Sequence, residues 1–197
     1  MVKLNSKQLR DIPETEADAF RIDLKRNPIY LIVENVYDTY NIGGLFRLAD
    51  GLAVTKLYLC GEMETPPHHK IEKASVGTYK IVPWEYKESA IEAIEELRAK
   101  YPVIPTRAEG SLDVARDDKK GVQILAVEQS DNSKVYTEVK YAAPVALIVG
   151  NETFGVTAET LAACDHTVEI PMWGINKSLN VIVSAAIVAF HVMEKIR

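Results

Sequence analysis

A chain of 197 residues, 47% hydrophobic and 26% charged, is long enough to bury one substantial core and too apolar for wholesale disorder. Its two cysteines, Cys60 and Cys164, lie far apart and outside metal-ligand spacing, which argues against a disulfide framework or a zinc site and makes a reducing cytosol the expected compartment. The net charge of −5 rules out the global basic footprint that many nucleic-acid binders carry, although residues 1–80 are balanced at 11 basic and 11 acidic side chains against 12 and 17 in the rest.

In chain order, residues 1–28 read as a helical leader, an acidic helix-compatible stretch from Ser6 to Phe20 broken near Pro13, with no apolar run of the secretory kind before it. Residues 29–197 read as one α/β domain. Ile29 to Val33 is a continuous apolar run of a buried strand, a helix begins near Ile42, and Lys56 to Cys60 is a second strand. Pro66-Pro67 marks a loop, and the adjacent His68 and His69 do not converge on one metal, so they read as surface residues. Ile81-Val82 suggests a short strand, and Glu88 to Lys100 an amphipathic helix with Ile91, Ile94 and Leu97 at helical spacing. Thr106 to Gly121 reads as a peripheral loop. Val122 to Val127 and Val145 to Val149 are further strands, followed by a short helix at Thr157 to Ala163, a strand at Thr167 to Ile170 and a closing helix from Ser178 to Ile196. The apolar stretch from Leu179 to Met193 falls short of the roughly 20 residues a membrane span requires. Strands that are apolar throughout, alternating with helices, imply a mostly parallel sheet covered by helices on both faces.

Three strand-end segments concentrate the polar residues, where open parallel sheets place their ligands. In Glu34 to Arg47, Asn41 has the side chain of a helix N-cap. Arg47 points away from the inward stripe of Leu45, Leu48, Ala49 and Leu52, and Gly44 and Gly51 beside it leave room for another molecule. Read alone, the same residues also describe a capped helix with one solvated arginine. In Val145 to Gly155, Gly150, Glu152 and Gly155 imitate a dinucleotide fingerprint, but Glu152 stands where backbone would approach a pyrophosphate. Such a turn suits a ligand that is not polyanionic, for instance a sulfonium-bearing nucleoside. In Ile170 to Val181, Ser178 is placed to cap the last helix, and Asn180 is an amide in the first turn of an otherwise apolar helix. Buried amides need partners, so Asn180 either satisfies loop backbone or touches a ligand.

Together and in this order the segments resemble the SpoU family of RNA ribose 2′-O-methyltransferases, within the SPOUT class. Asn41, Gly43 and Arg47 resemble its first motif, Gly150, Glu152 and Gly155 its second, and Ile170 to Met172 with Ser178 to Val181 its third. The resemblance runs from about Ile29 to Ile196, is looser in the middle, and departs from the family's Asp-Pro pattern at Asp38-Thr39-Tyr40. It implies S-adenosylmethionine as cofactor, a tRNA or rRNA substrate, a homodimer with the active site near the subunit interface, and a C-terminal trefoil knot, an exception to unthreaded connections. It implies no metal and no membrane. By position it implies a cofactor pocket of Ala126, Val127, Glu128, Gly150, Ile170, Met172 and Leu179, and a catalytic set of Arg47, Asn41, Glu152, Ser178 and Asn180. A guanidinium is almost never neutral, so Arg47 is expected to grip a phosphate and stabilise a developing alkoxide, with Glu152 holding it in place. Ser178 and Asn180 are expected to orient the substrate or close the cofactor loop. A last helix that is apolar all round is expected to be covered on all sides. A catalytically inactive cofactor- or RNA-binding module of the same fold stays open as an alternative, as does a Rossmann nucleotide enzyme, which Glu152 disfavours.

Overall fold

The computed structural model describes residues 3–103 and 121–197, so the loop expected at 106–121 lies outside the described residues except for Gly121. Seven segments are strands: β1 (Asn27–Glu34), β2 (Val54–Cys60), β3 (Trp84–Lys87), β4 (Gln123–Val127), β5 (Lys134–Val135), β6 (Val145–Val149) and β7 (His166–Glu169). They form one sheet in the order β3-β2-β1-β6-β4-β7-β5, and every neighbouring pair is parallel. Leu31 of β1 lies level with Leu57 and Leu147, and β6, buried at every position, is the central strand.

The helices are α1 (Ser6–Asp11), α2 (Glu14–Asp23), α3 (Thr39–Gly51), α4 (His69–Ser75), α5 (Ala90–Lys100), α6 (Ala158–Ala163) and α7 (Val181–Ile196), with a 3-10 turn at Thr78–Lys80. Strand side chains alternate between faces. Leu31, Val33, Leu57 and Leu147 therefore join α3 and α7 in one core, while Tyr30, Ile32, Ile124 and Ile148 meet α5 and the region of α6 in the other. β6 is apolar and buried at every position, and β1 is buried from Ile29 to Glu34, because both faces of the sheet are covered there. That is the expected α/β architecture.

The leader folds back on the body. Leu9, Ile12 and Ala17 bury with Ile81, and Lys80 Nζ donates to the carbonyls of Arg10 and Ile12 at 2.9 and 3.2 Å. Gly77 allows this approach, because its φ is +93° and a Cβ there would lie 2.3 Å from the Leu9 carbonyl oxygen.

Several boundaries differ from the sequence reading. Asp38 caps α3, accepting from the Tyr40 amide at 2.8 Å, so Asn41 lies inside the first turn rather than at the cap. Asn180 caps α7 through the Ile182 amide at 2.9 Å, and Ser178 sits in the exposed loop before it. Ile81 and Val82 are not a strand. Their amides close the turn on the Thr78 carbonyl, and they are apolar because they plug the ends of two cores. The strand is β3, just after Pro83. The last helix is covered on one face only: Val183 is 45% and Phe190 53% exposed. No helix among the described residues is long and apolar enough to cross a membrane.

Candidate active site

A cavity of about 300 Å³ opens at the C-terminal ends of β4, β6 and β7. Val127, Glu128, Gly150, Ile170, Met172 and Leu179 line it. Ala126, the remaining residue assigned to the pocket from sequence, does not. It is fully buried in the opposite core, because strand side chains alternate and Val127 takes the cavity face.

The turn between β6 and α6 is built by backbone crowding. A Cβ on Gly150 would lie 2.3 Å from the Gly155 carbonyl carbon, and Asn151 and Gly155 exchange amide–carbonyl hydrogen bonds of 3.0 and 2.9 Å. Gly155 has φ +71°, and a Cβ there would meet Glu128 Oε2 at 2.2 Å. That carboxylate accepts from the amides of Val156 and Gln129 at 3.0 and 2.9 Å. Both glycines therefore serve closure of the turn, and Glu128 fastens it. Asn151 does the same from inside: its Oδ1 accepts from the Thr153 and Phe154 amides at 2.8 and 3.0 Å, and its Nδ2 donates to the Asn35 carbonyl at 2.7 Å.

Beneath this turn, Glu34 closes β1 as a carboxylate only 4% exposed. It accepts from the Thr157 amide at 2.9 Å, the Thr157 hydroxyl at 2.9 Å and the Thr160 hydroxyl at 2.6 Å, which anchors the start of α6. Sequence reasoning missed Glu34, Asn35 and Asn151 as builders of the site. The available signal was a lone acid ending a fully apolar strand, since buried carboxylates are retained only with partners.

Three residues of the catalytic set converge. Asn41 Nδ2 donates to Glu152 Oε1 at 2.8 Å, and Asn41 Oδ1 accepts from Asn180 Nδ2 at 3.0 Å. Because Asp38 and Asn180 do the capping, Asn41 is free to turn inward and tie the three segments together. Ser178 lines the cavity together with Glu152. Arg47 does not join. Its side chain is exposed and has no hydrogen-bond or ion-pair partner among the described residues, while Glu152, the expected tether, takes Asn41 instead.

The cavity wall carries the carboxylates of Glu128, Glu152 and Glu169 and, among the described residues, no lysine or arginine. Polyphosphate would be repelled there, whereas a cationic sulfonium or ammonium group is favoured. The size falls at the lower end of small-molecule sites. Val127, Ile170 and Leu179 supply apolar wall for an aromatic base. The donor set thus fits S-adenosylmethionine. Nucleophilic thiol chemistry does not fit, because burial, with Glu34 next in weight, pushes the Cys60 thiol up to about 12. Among the described residues no group of His, Cys, Asp and Glu is placed to hold a metal ion.

The chain matches the SpoU rRNA Methylase family over residues 28–114 and 110–190. It is 26% identical over 185 residues to the tRNA (guanosine(18)-2′-O)-methyltransferase of Thermus thermophilus, a match that covers 92% of this chain and 84% of that protein. Among solved structures it is similar to the A. aeolicus TrmH/SpoU tRNA modifying enzyme, with a TM-score of 0.70 and 25% identity over 92% of this chain and 83% of that one. It is also similar in fold to AviRb of Streptomyces viridochromogenes in complex with AdoMet, with a TM-score of 0.71 and 23% identity over 88% of this chain and 62% of that one. The matched residues include all three segments that meet at Asn41, and the chain belongs to the SpoU rRNA methylase family.

Proposed function

We infer that the protein is an S-adenosylmethionine-dependent RNA methyltransferase acting on a ribose 2′-hydroxyl of tRNA or rRNA. The observation that carries this reading is a cavity walled by Glu128, Glu152 and Glu169, with Glu152 joined through Asn41 to Asn180. The activity for which the Thermus relative is named and the AdoMet held by AviRb support it. When bound, S-adenosylmethionine supplies the methyl group. The residues of the chain orient the reaction and handle charge. Val127, Glu128, Gly150, Ile170, Met172 and Leu179 hold the nucleoside, and the Asn41 bridge keeps Glu152, Ser178 and the start of α7 in register at the rim. Arg47 grips the phosphate beside the acceptor and stabilises the alkoxide that develops as the hydroxyl proton passes to solvent water.

Arg47 lies one turn along α3 from Gly44, against which Ile182 of α7 packs, so it stands beside the open apolar face of α7. We propose that a second copy of the chain covers this face, giving a homodimer with Arg47 at the junction. Val183 and Phe190, apolar and half-exposed there, support it. Light scattering that returned a monomer at assay concentration would remove the dimer. We also propose that the C-terminal chain is knotted, supported by β7 pairing between β4 and β5, two strands that are consecutive in the chain. A knot would shorten the contour length released when the two ends are pulled apart, and full release would exclude it.

The test of function is methyl transfer from labelled cofactor to bulk tRNA and rRNA, followed by mass-spectrometric mapping of ribose methylation. Arg47→Ala is expected to abolish transfer with cofactor affinity held within about twofold. Comparable loss of cofactor binding would make Arg47 structural, and no transfer by the unaltered protein to either RNA would overturn the reading.

A further inference from the structure

An RNA substrate is held mainly through its phosphates, yet among the described residues no lysine or arginine lines the cavity beside Glu152. Contacts to the backbone beyond that of Arg47 therefore draw on cations of other surfaces. A second cavity, of about 360 Å³, lies where the leader folds against α4 and the turn after it, and its wall includes Arg10, His69, Lys73, Lys80, Tyr79 and Glu72. Three permanent positive charges face one carboxylate there. Glu72 is partly engaged already, accepting from the Tyr79 hydroxyl at 3.2 Å.

The parts of this cavity have different tasks. Lys80 is pinned to the leader by its two carbonyl contacts, and Gly77 lets the leader lie close, so both shape the wall. His69 is exposed and stacks on His68 at 4.9 Å between centroids. Arg10 and Lys73 are exposed, and neither has a side-chain hydrogen bond or ion pair among the described residues. Two unpaired cations from separate elements, held over one concavity by a buried seam, are suited to an anion with several oxygens.

The cavity is also close to the site. Gly43, two residues from Asn41, seats α4 so tightly that a Cβ there would lie 2.5 Å from Ala74 Cβ, and Ala74 follows Lys73 directly. α4 thus covers one flank of α3 near its start, while α7 lies against Gly44 on another. Resting on the reading of the protein as an RNA methyltransferase, we propose that Arg10 and Lys73 bind a backbone phosphate of the substrate RNA, a few nucleotides from the methylated ribose. The contact is to backbone, so it adds affinity and register without reading sequence.

The experiment measures RNA binding by filter retention across a salt series, together with KM and kcat for methyl transfer, for the full chain and for Arg10→Ala/Lys73→Ala. The double variant is expected to bind RNA about three- to tenfold more weakly and to lose about one unit of salt slope. KM for RNA rises with kcat, cofactor affinity and Tm unchanged. Lys73→Arg is expected to bind as the unaltered chain does. Unaltered affinity and slope in the double variant would overturn the proposal, and so would a matching loss of Tm or cofactor affinity, which would mark a structural role. If the unaltered chain binds and methylates RNA while the variant is indistinguishable from it, only this inference fails. If the unaltered chain binds no RNA, the functional reading fails with it.

Discussion

Replacing Asn41 with alanine removes both halves of the bridge that joins the three segments, a 2.8 Å donation to Glu152 and a 3.0 Å acceptance from Asn180. A hydrogen bond to a carboxylate contributes about 1.5–3 kcal/mol and a neutral one about 0.5–1.5 kcal/mol, for about 2–4.5 kcal/mol in a site closed to water. This site is not closed. Asn41 is buried, but Glu152 and Asn180 are exposed and recover part of their bonding from solvent. The expected loss is therefore about 1–2.5 kcal/mol. With an unfolding entropy of about 2.1 cal/mol/K per residue over 197 residues, that is a Tm lowered by about 2–6 °C. Asn41→Asp is the sharper variant. It keeps the shape and the acceptor for Asn180 but sets a second carboxylate against Glu152, so it is expected to be worse than alanine near neutral pH. Circular dichroism melts and calorimetric titration with S-adenosylmethionine read both effects. Cofactor affinity is expected to fall in each variant, because Glu152 and the start of α7 lose their common anchor at the cavity rim. Should Asn41→Ala melt and bind cofactor as the unaltered chain does, or Asn41→Asp outperform it, the bridge does not organise the site.

Two adjacent glycines in α3 are expected to respond unequally to alanine, although both substitutions gain helix propensity of about 1 kcal/mol. A Cβ on Gly43 would lie 2.5 Å from Ala74 Cβ and 2.9 Å from the Ile71 carbonyl and the Ser75 amide, which are backbone and cannot yield, whereas a Cβ on Gly44 meets chiefly the mobile end of Ile182. Gly43→Ala should lower Tm by several degrees, with overpacking costing about 1–3 kcal/mol, and Gly44→Ala should stay near the unaltered value. Equal shifts in thermal melts would contradict this packing argument. On the sheet edge, burial raises the Glu96 carboxyl, but hydrogen bonds from Lys87 and Tyr58 and the charges of Lys56 and Lys87 outweigh it and hold the group down at about 2. A depressed carboxyl stabilises the fold above its unfolded pKa and loses that effect as pH falls toward the folded value. Glu96→Gln should therefore be less stable than the unaltered chain at pH 7, with the gap closing between about pH 4.3 and pH 2. A gap in urea midpoints that stays constant over that window would show that Glu96 is not held by charge.

Long apolar runs were legible because one physical requirement dictates them. A strand buried on both faces excludes polar residues, so Ile29 to Val33, Val122 to Val127 and Val145 to Val149 could be read directly, and with them the positions of the three strand-end segments. Short elements with exposed faces lacked that signal. β5 is two residues long, β3 is half-exposed, and α4 has a single turn of apolar contact, so none stood out.

Polar assignments were decided by tertiary structure, since an asparagine or serine offers several donors and acceptors that local sequence satisfies equally well. Asn41 and Asp38 both suit a cap, as do Ser178 and Asn180, and the choice follows from Glu152 and Asn180 lying 111 and 139 residues from Asn41 in the chain. The second cavity likewise draws Arg10 from the leader and His69 and Lys73 from α4, and no local pattern announces that meeting. Composition set which faces had to be buried; the packing of distant segments chose which polar groups came together, because hydrogen bonds and charges act only at contact distance and contact is made by the fold.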